Sequence, residues 1–155
     1  DILSRAVDLP LSHQLSHDTK NPGGWENFSV YCRFLNEEFG RFVARLKDTP
    51  EPGGDGSMLD HSLLLFGSAS SAFHLSRNYP LILAGGKDMG FRHGQYVNLI
   101  GDNAYGGSWS GGPEPWQREF SHEDRPLADL YLTMLQRLGV ETDTFAGSTT
   151  PLEGV

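Results

Sequence analysis

The chemistry in this chain starts with two histidines set four residues apart. They are His13 and His17, within LSHQLSHD at residues 11–18. Positions i and i+4 share one side of a helical turn. That spacing lets two imidazoles face one metal ion. A third histidine, His74, lies in the linker between two apolar runs. Three neutral imidazoles suit zinc, or another borderline divalent transition metal. An open fourth position would activate water or polarise a phosphoryl or sulfuryl oxygen. Asp18 or loop carbonyls would then hold the far ring nitrogens. The plainer reading of His13 and His17 is a pair of exposed or capping histidines in a polar loop.

The other reactive residue types give less. Ser68 and Ser70 lack the Gly-x-Ser-x-Gly elbow that exposes a nucleophile, so no catalytic residue is assigned. Asp60 and His61 are read first as a turn that caps and enters a strand. Lys87, Arg92 and His93 lie in a glycine-rich stretch and would hold an anion or sit as solvated loop residues. The glycine spacing there matches neither a dinucleotide fingerprint nor a phosphate loop, so no nucleotide cofactor is expected.

The elements that must position these residues centre on 63–86. Leu63-Leu64-Leu65-Phe66 is a continuous apolar run closed by Gly67, and Pro80-Leu81-Ile82-Leu83-Ala84 is closed by Gly85-Gly86. Such runs suit strands buried on both faces of a parallel or mixed sheet. Residues 68–79 would be the loop at the strand ends, where ligands of open α/β sheets sit. Trp25 to Lys47 is the strongest helical pattern. Phe28, Tyr31, Cys32, Leu35, Phe39, Phe42, Val43 and Leu46 recur at three- and four-residue steps, with Glu37, Glu38, Arg41 and Arg45 on the other side. Gly40 interrupts it and suggests close packing against a neighbour. Pro126 to Gly139 is a second amphipathic helix, with Pro126 in its first turn and Gly139 as its C′ terminator. Residues 140–155 read as a polar tail anchored by Phe145. Residues 98–123 form an irregular Gly- and aromatic-rich insertion, in which Trp109 and Trp116 suggest contact with a protein partner.

Composition narrows the function classes. The chain has 155 residues, enough for one core and too few for two ordinary domains. Its formal net charge is −8, which argues against binding a nucleic-acid backbone. Cys32 is the single cysteine, so no internal disulfide is expected. No apolar run approaches the length of a membrane span. The opening residues show no basic-then-apolar leader, and a mature or truncated fragment is expected.

Read together, LSHQLSHD, GDGSMLDHSLLLFGS, NYPLILAGG, GFRHGQ and RPLADLYLTMLQRLGVETDTFAGST occur in a familiar order. The pattern resembles the C-terminal portion of the bacterial domain of unknown function 1552 family. It covers the chain apart from the 98–123 insertion. The family is similar to the alkaline phosphatase and sulfatase superfamily, so the resemblance implies a three-layer α/β/α fold. It also implies export to the periplasm or another extracytoplasmic site, and an N-terminal part of the same chain as a structural partner. In that superfamily a metal site takes an acidic residue and a histidine four apart, plus a histidine before a late strand. His13 and His17 match the first spacing, with histidine in place of the acid, and His74 matches the second. Ser68-Ala69 stands where the superfamily commonly has an Asp-His pair, and the superfamily nucleophile belongs to the N-terminal half. Two functions follow as expectations. One is a metal-dependent phospho- or sulfo-ester hydrolase. The other is a non-catalytic binding or accessory subunit of an extracytoplasmic assembly.

Overall fold

In the computed structural model the described residues are Arg5, Asp8, 11–68, 80–97, Leu99 and 125–155. They form a mixed α/β structure with three α-helices and one two-stranded sheet. The chain divides into two compact units, Asp1–Leu59 and Asp60–Val155. His74, Trp109 and Trp116 lie outside the described residues.

The first unit holds α1, Ser12–Asp18, and α2, Gly24–Lys47, which pack together. Asn21-Pro22-Gly23-Gly24 between them is a tight corner. Asn21 N–H donates to the Asp18 carbonyl at 2.8 Å, and Gly24 N–H donates to the Asn21 carbonyl at 3.0 Å. Gly23 has φ +74, and a Cβ on Gly24 would collide with the Asp18 carbonyl oxygen. Only glycine meets both demands. Leu15 of α1 and Tyr31 of α2 are buried. The close packing foreseen at Gly40 is absent among the described residues, where a Cβ there would meet nothing within 4 Å. Much of the apolar face of α2 is only partly covered, and Trp25 is 60% exposed. After the helix, Thr49 Oγ1 donates to the Arg45 carbonyl at 2.6 Å. Leu59 N–H returns to the Leu46 carbonyl at 3.3 Å, so residues 48–59 fold back on the helix end.

The second unit holds β1, Leu63–Gly67, β2, Leu81–Gly85, a 3-10 turn at Lys87–Met89, and α3, Leu127–Arg137. The strands pair antiparallel, with Leu63 opposite Gly85 and Leu65 opposite Leu83. This corrects the parallel alternative of the expected parallel or mixed sheet for these two strands. A short continuous apolar run does not encode the direction of its partner, so the pattern alone fits either pairing. Neither strand is fully buried: Leu63 to Phe66 are all half-buried. Leu63 and Leu83 face the core, while Ile82 on the opposite face is 45% exposed.

That core is Phe91, Leu152 and Val155, joined by Leu63, Leu83, Met89, Leu130 and Met134. Sheet, 3-10 turn, α3 and C-terminal segment all contribute to it. The reading of residues 140–155 as a polar tail anchored by Phe145 is therefore corrected. Phe145 is exposed and stacks edge-on against Tyr131 at 5.8 Å, whereas Leu152 and Val155 are buried. A segment with two isolated apolar residues has no periodicity to betray its burial.

α3 ends as its sequence dictates. Gly139 has φ +83, its N–H donates to the Gln136 carbonyl, and Val140 N–H donates to the Leu135 carbonyl, both at 3.0 Å. These two bonds satisfy carbonyls that the helix end leaves open.

Candidate functional site

The first candidate centre is on α1. The Nε2 atoms of His13 and His17 stand 3.1 Å apart, and their ring centroids 4.6 Å apart. As they stand, one Nε2–H donates to the other ring's lone pair. Two nitrogens bound tetrahedrally to one zinc at about 2.0–2.1 Å are about 3.3 Å apart. Exchange of the shared proton for a zinc ion thus needs only a small opening of the pair. The helical spacing read from the sequence does bring these two rings together. Both side chains are exposed. Asp18, expected behind the ligands, has its Oδ1 engaged by Gln14 Nε2 at 3.0 Å. Among the described residues no group of three or more His, Cys, Asp or Glu side chains is placed to hold a metal ion. The third expected ligand, His74, falls outside them.

The second candidate centre lies at one end of the sheet. His61 Nε2 is 3.2 Å from Asp88 Oδ2. The two are brought together by the register, since Leu63 opposite Gly85 carries the preceding turn alongside the 3-10 turn. Asp88 N–H also donates to the Asp60 carbonyl at 3.2 Å. Asp60 and His61 do form the turn expected before β1, but the pairing of His61 with a carboxylate 27 positions on was missed. No local signal carries it, because it depends on strand direction. His93, foreseen as an anion ligand or a solvated residue, donates Nε2–H to the Gly85 carbonyl at 2.5 Å. Lys87 and Arg92 are exposed. Gly86 and Gly90 have φ +69 and +82 and bracket the 3-10 turn.

A third polar cluster is structural. Asp129 is 3% exposed, in the first turn of α3. Ser148 Oγ donates to Asp129 Oδ1 at 2.5 Å, and Arg125 Nη1 stands 3.9 Å from Oδ2. The Thr133 hydroxyl lies 3.0 Å from the carbonyls of both Asp129 and Leu152, and Leu152 N–H donates to Asp129 O at 3.2 Å. The Ser148 and Thr133 hydroxyls and Asp129 Oδ1 each have a hydrogen-bond partner, as burial requires. Its role is to fasten the C-terminal segment to α3.

On α2, Arg33 donates to Glu37 at 2.7 Å, Arg41 reaches Glu37 at 3.4 Å, and Arg41 also pairs with Glu38. The hydrogen bond and charge of Arg33 hold the Glu37 carboxyl below its usual value, and the hydrogen bond and charge of Glu37 raise the Arg33 guanidinium. Burial pushes the Cys32 thiol up. Val30, Arg33, Phe34 and Glu37 line a shallow surface pocket of about 300 Å³. No helix among the described residues is long and apolar enough to cross a membrane.

Compared with protein-family models, with characterised proteins and with solved structures, the chain finds no match in any of the three.

Proposed function

We propose that this chain is part of an exported, alkaline-phosphatase-like protein that hydrolyses phospho- or sulfo-esters with a divalent transition metal, zinc by preference. The observation that carries the metal is the 3.1 Å separation of the His13 and His17 Nε2 atoms. Helix geometry brings side chains four residues apart onto one side. His74 is proposed as the third ligand, from its place in the sequence. With three imidazoles and one open position, the metal would polarise the ester oxygen and lower the pKa of bound water. The ester class, the three-layer α/β/α fold and the periplasmic location rest on the resemblance to the domain of unknown function 1552 family.

Elemental analysis of the purified protein tests the reading, with His13→Ala and His74→Ala beside it. One equivalent of zinc, manganese or iron, lost in both variants, is the expected result. No metal in the unmodified protein, with variants that fold normally, overturns it.

A second reading is a non-catalytic binding or accessory subunit of an extracytoplasmic assembly. The exposed Trp25 and the Val30–Phe34 surface of α2 favour it, because open apolar area on a helix suits a partner. Trp109 and Trp116 are proposed as partner contacts from their place in the sequence. Deletion of 98–123 should then release the partner from a fold that stays intact.

A further inference from the structure

We propose that zinc held between His13 and His17 orders α1 against α2, so that this part of the first unit is tightened by metal and loosened without it. This rests on the metal-site reading above and not on the ester chemistry.

α1 has little of its own to hold it together. It is seven residues long, against the about 12–15 that an isolated helix needs in water. Leu11 stands at its N-cap with no side-chain cap bond, and its first turn carries no acidic residue. Gln14 Nε2 donates to Asp18 Oδ1 at 3.0 Å, across one exposed turn. Such pairs add only tenths of a helix's needs. Ser16 Oγ donates to the His13 carbonyl at 2.7 Å, and Thr19 Oγ1 to the Ser16 carbonyl at 2.9 Å. A hydroxyl that returns to a preceding carbonyl competes with the helix more than it supports it.

The seat of α1 is α2. The two helices pack together, and Leu15 is 2% exposed. The corner ties them further. The Asp18 carbonyl accepts from Asn21 N–H at 2.8 Å, and it lies so close to Gly24 that no Cβ fits there. Helix formation in residues 12–18 and docking on α2 are therefore one event.

His13 and His17 span the turn that leads into this corner. Their Nε2 atoms face each other at 3.1 Å, so an ion that takes the place of the shared proton grips one helical turn at two points. In an open segment the two imidazoles keep no fixed separation, and the two-point grip is lost. Binding free energy is then ordering free energy. A ligand that prefers the ordered state shifts the balance toward it in proportion to the ratio of free ligand to Kd.

Amide exchange by NMR on the full chain tests this, with zinc titrated and its binding followed by equilibrium dialysis. At free zinc of about 100 times Kd, the amides of residues 15–18 should exchange about 100-fold more slowly, and those of α3 should not change. EDTA should restore the faster exchange. Calcium, which takes oxygen ligands, should have no effect. His17→Ala raises helix propensity, so α1 still forms in this variant, but its exchange should no longer respond to zinc. Zinc that binds stoichiometrically, is lost in His17→Ala and leaves residues 15–18 unprotected overturns the proposal while the metal reading stands. An equal slowing in His17→Ala overturns the assignment to this pair. No zinc on the unmodified chain overturns both the proposal and the metal reading.

Discussion

The two histidine centres are built in opposite ways. His13 and His17 meet because a helix repeats every 3.6 residues. His61 and Asp88 meet because two strands pair antiparallel in one register. The same contrast separates the two units. In the first, most side-chain bonds span three or four residues, from Gln14–Asp18 to Arg33–Glu37. In the second, side chains reach across long stretches of chain. Gln95 donates to the Gly154 carbonyl at 2.5 Å, Arg137 to Gly90, and Ser148 to Asp129. Local geometry survives damage elsewhere; long-range geometry is cooperative and does not.

The comparison can be broken first at the second unit's core. Leu152 is 7% exposed within that core, and Leu152→Ala should cost about 2–5 kcal/mol through lost burial and a cavity. Denaturant unfolding should show the loss, and the His61–Asp88 geometry should go with it. The helical circular dichroism of α1 and α2 should persist if the contrast holds. A single transition that takes all helicity at once would break it.

The polar knot gives a smaller effect. Ser148→Ala removes the donor to a buried carboxylate and should cost about 1–3 kcal/mol. Its amide-exchange signature should appear at residues 148–155 and in α3 before anywhere else. Uniform loss of protection would show that the C-terminal segment is no separate fastening.

Gly40→Ala sharpens the other side of the comparison. No described side chain crowds the position and it lies inside α2, so alanine should stabilise the helix by about 0.5–1 kcal/mol. A raised melting temperature is the expected reading; a lowered one would place a neighbour against Gly40.

The smallest effect is electrostatic. Glu37 has its folded pKa depressed below 4.5, first by the Arg33 hydrogen bond. A depressed carboxyl contributes stability above its unfolded value and loses it as pH falls through the folded one. α2 should therefore shed this contribution only on acidification below about pH 4.5, and salt should weaken it beforehand. Helicity followed by circular dichroism in wild type and Glu37→Gln should converge in acid. A gap that persists there would assign the difference to something other than charge. The raised Cys32 thiol completes the set, since iodoacetamide at pH 8 should label it more slowly than a free cysteine.

By itself the sequence determined what depends on neighbours a few residues away. The apolar spacing located α2 and α3, Gly139 marked the end of α3, and the four-residue step of His13 and His17 placed their rings together. Each of these is a property of one helix. Only the tertiary structure decided the antiparallel pairing of two apolar runs whose pattern fits either direction. It alone decided the burial of Leu152 and Val155 in a segment that reads as polar, and the meeting of His61 with Asp88. These depend on which distant segments pair, and period, propensity and spacing do not encode that choice.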